Sequence, residues 1–179
     1  PNALLPRPSY RHLSSTMAKV LPPSGPATRP PYGGRPVRPF AADRFALEVG
    51  AEWVDRTAYV LEGPLEDDLQ HTITIAVDEE AGDVDLLAYA YPQIDSMLET
   101  LHGCRLQARG LTRLDAGDPA YMAAFVWWPA DERRLYQEVW FVLHRGTGYR
   151  IAATFTRKTR RTLGPAVRRA VHAFTPAPP

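Results

Sequence analysis

From residue 56 onward the chain is organised by alternation of apolar and polar positions. "RTAYVLEG" (56–63) and "LQHTITIAVDE" (69–79) alternate with period two and are rich in Thr, Val, Ile and Tyr, so both are predicted strands, with "GPLEDD" as the turn between them. The spacing then becomes helical. In "AGDVDLLAYAYPQIDSMLETLHG" (81–103), Leu87, Ala90, Ile94, Met97, Leu98 and Leu101 share one face. Asp83 is the expected N-cap, and Pro92 is expected to kink or break the helix. Four more strands follow: "CRLQARGLTRL", "PAYMAAFVWWP", "RLYQEVWFVLHR" and "YRIAATFTR". Their connections, "DAGD", "PADERR" and "GTG", have hairpin length and residue types. A closing helix, "RTLGPAVRRAVHAF", carries Leu163, Val167, Ala170, Val171 and Phe174 on one stripe, with Thr162 as its N-cap and Pro165 in its first turn. With a short strand "RFALEV" in front, the order predicts an α+β domain: a twisted antiparallel sheet with both helices packed on one face.

The two faces of that sheet can be read separately. One carries Tyr59, Leu61, Ile73, Ile75, Val77, Ile151 and Phe155, large apolar side chains suited to be a floor for the helices. The other carries Ala58, Val60, Thr72, Thr74, Ala76, Ala152 and Thr154, which are small and uncharged. A solvated sheet face more often carries Lys, Glu or Arg. Small residues let another element approach closely, so this set is the candidate binding face; a plain exposed Thr-rich face is the alternative. Strand 135–144 is apolar on both sides, with Leu135, Val139, Phe141 and Leu143 against Tyr136, Trp140 and Val142. Something must cover its second face: a dimer partner, a ligand or a loop.

Composition changes the picture at the N-terminus. Ten of the 18 prolines fall in residues 1–39, in runs such as "LPPSGP" and "RPPYGGRP". Residues 1–41 therefore read as a basic, extended or disordered tail, 42–175 as the folded domain and 176–179 as a flexible end. Met17 opens "MAKVLPPSG" and reads as a start, with 1–16 upstream of it. The net charge of +1 hides segregation. Residues 1–42 hold six basic and no acidic side chains, 43–138 hold seven basic and twenty acidic, and 139–179 hold eight basic and none acidic. No apolar run reaches the ~18–20 residues of a membrane span, and no secretory h-region opens the chain. The single cysteine, Cys104, forms no internal disulfide and suits a reducing compartment, which makes the bacterial cytoplasm the expected location.

Chemistry is hard to find. His12, His71, His102, His144 and His172 are scattered, and no ligand spacing predicts a metal or any other cofactor. Cys104 and His102 flank a glycine without the surroundings of a cysteine hydrolase. There is no G-x-S-x-G, Walker loop or G-x-G-x-x-G, so no catalytic residue is assigned. The stretch "TRKTRRTLGPAVRRA" would place Arg157, Lys158, Arg160, Arg161, Arg168 and Arg169 in one positive patch. No nucleic-acid motif accompanies it, and ion pairing with the acidic surface, within the domain or across a dimer, explains it as well.

The order "WVDRTAYVLEGP", "HTITIAVDE", a helix, "CRLQARGLTRLDAGDPAYMAAFVWW" and "LYQEVWFVLHRGTGYRIAAT" resembles the DcrB-related (DUF1795) family, whose best understood members are the Eag chaperones of type VI secretion. Trp53, Asp55, Arg56 and Thr57 match its opening element, and the likeness covers about 44–175. It implies a Mog1/PsbP-like domain that forms a homodimer and is not an enzyme. In Eag members the sheet cradles N-terminal transmembrane helices of effectors carrying PAAR or Rhs regions, for delivery to the VgrG spike. The effector-facing positions after the opening element fall here on Ala58 and Val60, with Ala58 smaller than the family's usual Ile or Val. Neither nucleic acid nor stable membrane insertion is expected. The alternative is an immunity or accessory protein that binds a soluble toxin domain through its acidic surface.

Overall fold

The structure, a computed structural model, describes residues 37–42, 45–50, 56–129 and 133–176. The chain divides into two compact units after Val54. In the first, β1 (Val37–Ala42) and β2 (Phe45–Gly50) form an antiparallel hairpin in which Val37 pairs with Gly50 and Ala42 with Phe45. The predicted strand "RFALEV" is β2. The tail over residues 1–36 and the last three residues lie outside the described residues, as do Trp53 and Asp55.

The second unit is a six-stranded antiparallel sheet in the order β3-β4-β8-β7-β6-β5. Its strands are β3 (Ala58–Glu66), β4 (Leu69–Asp78), β5 (Arg105–Arg113), β6 (Pro119–Trp127), β7 (Leu135–His144) and β8 (Thr147–Phe155). Two pieces make it: the β3–β4 hairpin and the β5–β8 meander, joined where β4 pairs with β8. The chain leaves β4 in mid-sheet and re-enters at the far edge through α1 (Leu86–Thr100), so that helix crosses the sheet on one side.

The hairpin turns are tighter than the sequence suggests. "GPLEDD" is not all turn: β3 continues to Glu66 through a register shift between Glu62 and Leu65. Asp67 and Asp68 alone make the bend, with φ of 56° and 53°. Arg145 and Gly146 do the same before β8, at 50° and 81°. Two consecutive residues with positive φ match the right-handed twist of the strands they join, which short-side-chain Asp and Gly tolerate best.

The α+β class and the antiparallel sheet are as the alternation predicts, but the helices do not share a face. α1 packs Tyr89, Ala90 and Ile94 against Tyr121, Ala123, Phe125, Val139 and Phe141, with Ala152 at the margin. α3 (Gly164–His172), preceded by the single-turn α2 (Thr159–Thr162), packs Val171, Val167 and Leu163 against Trp140, Ile151, Ala153 and Phe155. Residues 139 and 141 point one way and 140 the other, so the two helices lie on opposite faces. The physical reason is that the strands of the meander are apolar on both sides, and each side needs its own cover. Complete burial of Ile94 and Trp140 alone contributes roughly 1.5–3 kcal/mol each.

Capping also differs in detail. Asp85, rather than Asp83, caps α1: its Oδ1 accepts from the backbone N–H of Leu87 at 2.8 Å and of Ala88 at 2.9 Å. Pro92 does not break the helix, which runs through it to Thr100. The closing segment turns helical at Thr159, before the predicted Thr162. There Thr156 and Thr159 exchange bonds: Thr159 Oγ1 accepts from the Thr156 N–H at 2.9 Å, and Thr156 Oγ1 from the Thr159 N–H at 3.1 Å. This reciprocal pair satisfies backbone donors that the helix itself leaves over.

Candidate functional site

The structure gathers Ala58, Val60, Thr72, Thr74, Ala76, Ala152 and Thr154 on one face of β3, β4 and β8. Val60 pairs with Thr74 and Thr74 with Ala152, one row across three strands. Ala58 pairs with Ala76, and Thr154 with Gln137 on β7. Thr72 lies beside Glu62 and continues the alternation. This is the α1 side of the sheet, a correction to the expectation that both helices leave it bare. α1 covers the β6–β7 half, and Ala152 touches that core. What stays open is a strip from β8 to the β3 edge. Three strands at a spacing of about 4.8 Å make it roughly 10 Å wide, close to the diameter of one α-helix.

The β3 edge is apolar on both sides. Tyr59, Val60, Leu61 and Leu65 are 56%, 58%, 55% and 67% exposed. Within the six-stranded sheet β3 pairs with β4 alone. Tyr59 and Leu61, assigned by alternation to the floor beneath the helices, do share a face with Ile75 and Ile73 but lie beyond the reach of α3. Exposed apolar residues on an unpaired edge strand form a surface that invites pairing or burial.

Next to the strip, on β7, Gln137 Oε1 is buried without a hydrogen-bond partner; farther along the sheet, on β6, so is Trp127 Nε1. Gln137 faces Phe125 on β6 as well as Thr154 on β8. One unmet acceptor and one unmet donor are unusual, because buried polar groups nearly always find partners. The strip itself is small but not wholly neutral, since the exposed Glu62, beside Thr72, and Arg150, beside Ala76, share its face. Sequence reasoning missed both; a lone Gln inside "YQEVWFV" was the available signal.

The opening element has a supporting role. Arg56 Nη1 stands 3.9 Å from Asp78 Oδ1 in an exposed pair, and the Thr57 carbonyl accepts from the Val77 N–H at 3.1 Å. These contacts fix the entry of β3 beside β4. They are not arranged for catalysis.

Beneath the other face lie two buried polar clusters. His71 joins the β3–β4 hairpin to α2: its Nδ1 is 3.1 Å from the Pro64 carbonyl and its Nε2 is 2.8 Å from Thr159 Oγ1. The carbonyl can only accept, so Nδ1 carries a proton, and Nε2 pairs with the threonine hydroxyl. Glu138, 2% exposed on β7, takes Arg160 Nε at 3.0 Å and Arg168 Nε at 2.7 Å. Burial pushes the Glu138 carboxyl up, but the hydrogen bonds from Arg168 and Arg160 outweigh it and hold the group below its ordinary value. Arg160 and Arg168 of the basic stretch are thus ion-paired within the domain.

The sulfhydryl candidate does not assemble. Burial raises the Cys104 thiol, which disfavours the thiolate a nucleophile needs. The His102 ring is held by the Trp128 carbonyl, 3.3 Å from Nδ1. Among the described residues no three of His, Cys, Asp and Glu gather to hold a metal, and no helix is long and apolar enough to cross a membrane.

A sheet with helices packed on both faces and, among the described residues, an open strip of small side chains defines an α+β domain. The chain belongs to the DcrB family, whose sequence model matches residues 46–174. A crystal structure of PA94 from Pseudomonas aeruginosa, described as a protein of unknown function and candidate regulator, is similar at a TM-score of 0.62 and 20% identity. The match covers 80% of this chain and 99% of that one, and at this identity it speaks for the fold alone. The solution structure of cyanobacterial PsbP (CyanoP) from Synechocystis sp. PCC 6803 matches at a TM-score of 0.48 and 12% identity, over 84% of this chain and 98% of that one. No curated protein matches the chain.

Proposed function

We propose that this DcrB-family protein is a non-enzymatic chaperone or adaptor for a type VI secretion effector. It works in the bacterial cytoplasm as a homodimer and holds an apolar N-terminal helix of the effector, from a PAAR or Rhs region, until the VgrG spike receives it. The observation that carries this reading is the strip of Ala58, Val60, Thr74, Ala76 and Ala152, open from β8 to an exposed apolar β3 edge. A transmembrane helix outside a membrane needs apolar area to cover it. Burying about 400 Å2 contributes roughly 10 kcal/mol before the costs of association, and this requires no reactive group. Thr72, Thr74 and Thr154 add hydroxyls that a small-residue helix face can meet at close range.

The test is co-expression of the full chain with the N-terminal transmembrane region of an effector encoded beside its gene. The wild type is expected to keep that region soluble and to co-purify with it. Val60→Asp and Ala58→Asp are each expected to abolish capture, because a carboxylate buried against an apolar helix costs several kcal/mol. Capture that survives both substitutions overturns the assignment of the strip. Salt-sensitive capture of a soluble toxin domain, indifferent to both, selects the reading in which the acidic surface binds.

A further inference from the structure

The basic C-terminal stretch carries more charge than the domain uses. Arg160 and Arg168 converge on the buried carboxylate of Glu138. Arg157, Lys158 and Arg161 are side by side with them and form no ion pair with any described acid. Between β7 and the α2–α3 segment the four arginines border an open hollow of about 490 Å3, lined by Tyr136, Arg157, Arg160, Arg161, Pro165 and Arg168. A second hollow of about 490 Å3 adjoins it through Arg157 and Arg161.

Two of the four guanidinium groups in the first hollow are preset. Glu138 takes Nε of Arg160, and both Nε and Nη2 of Arg168. The Arg160 guanidinium is also stacked over the Tyr136 ring, 5.2 Å from its centroid. Both Nη groups of Arg160 and Nη1 of Arg168 remain unused by Glu138. Arg157 and Arg161 are exposed and can fold onto whatever occupies the space. Four guanidiniums against one carboxylate leave three positive charges around the hollow.

That excess selects the ligand. A monocarboxylate would neutralise one charge of the three, whereas a phosphomonoester or diphosphate brings two or three charges and enough oxygens for several guanidinium forks. The aromatic groups argue against a nucleic-acid strand. Arg160 is stacked on Tyr136, and Arg105 and Arg134 both lie over Trp128 at 5.8 and 5.1 Å, so each ring already holds a cation where a base would stack. We propose that the hollow lined by Tyr136, Arg157, Arg160, Arg161 and Arg168 binds a phosphate-bearing ligand of two or more negative charges. Tyr136 packs with the α3 core, on the face opposite the small-residue strip, so the site is independent of helix capture.

Pyrophosphate is the probe, titrated calorimetrically into the full chain at constant ionic strength, with acetate as control. Binding of pyrophosphate and none of acetate is expected. Arg157→Gln/Arg161→Gln should weaken it at least tenfold while leaving the melting temperature and effector capture intact. Vesicles containing phosphatidylglycerol decide the source of the phosphate: binding to them that pyrophosphate displaces assigns a lipid headgroup, and binding to pyrophosphate alone assigns a free ligand. The proposal fails if acetate binds as well as pyrophosphate, if the double substitution changes nothing, or if a single-stranded oligonucleotide or an acidic peptide binds more tightly than pyrophosphate.

Discussion

Val139 and Trp140 are consecutive on β7 and are buried under different helices, Val139 against α1 and Trp140 against α3. The central strand is therefore the shared wall of two cores, and damage on either side should unfold the whole unit. Trp140→Ala is expected to cost about 3–5 kcal/mol and Val139→Ala about 2–3 kcal/mol. Urea unfolding followed by fluorescence and by circular dichroism checks this: each variant should show one transition, coincident by both probes. Separate transitions for the two helices would contradict a common wall.

Gly148 is required by a close approach. A β carbon there would overlap Cζ of Tyr89, and the Tyr89 ring is itself held edge-on to Phe141 with centroids 6.4 Å apart. Gly148→Ala should destabilise by about 1–3 kcal/mol, because the buried Tyr89 ring would have to shift from its packing against Phe141. A companion Tyr89→Leu substitution in the same chain should recover part of that loss in thermal melts.

Stability should depend on acid through Glu138. Its carboxyl is held below the ordinary value, so the charged form is favoured by folding. Such a group stabilises fully above the unfolded-state value of about 4.3, and the stabilisation is lost as pH falls through the lower folded-state value. The difference in unfolding free energy between wild type and Glu138→Gln should be about 1.5–3 kcal/mol and flat from neutral pH down to about 5. Below about pH 4 it should shrink. A difference that grew on acidification would reverse the assigned sign.

Thr159 is fully buried and carries His71 on one side and Thr156 on the other. Thr159→Val keeps the volume but removes the partner of His71 Nε2 and of the Thr156 N–H. The expected loss is about 2–4 kcal/mol, more than for Thr159→Ser, which keeps the hydroxyl. Thermal melts of the two variants give the comparison.

Val60 is more than half exposed on the edge strand. Val60→Asp should change the unfolding free energy by less than about 1 kcal/mol while abolishing effector capture. A large stability loss would mean that the folded chain already buries Val60.

Parity made most of the candidate strip legible. Ala58, Val60, Thr74, Ala76 and Ala152 share a face because side chains alternate with period two, and the registers of β3–β4 and β4–β8 preserve that parity. The strands, the crossover helix and the closing helix follow from the same pattern. Local chemistry was less legible: Asp83 and Asp85 are both acceptable caps, and only Asp85 stands where the Leu87 and Ala88 N–H groups point. The partnership of Glu138 with arginines 22 and 30 residues away has no local signature at all.

By itself, then, the sequence determined the elements, the antiparallel hairpins, the sorting of each strand into two faces and the segregation of charge. These depend on neighbours along the chain and on simple periodicities. Tertiary structure decided which helix covers which face, that β3 is left at an apolar edge, and that two arginines meet on one buried carboxylate. Those outcomes depend on which strand lies next to which. Alternation divides a strand into two sides, but only the completed sheet, with β4 joined to β8, decides what lies against each of them.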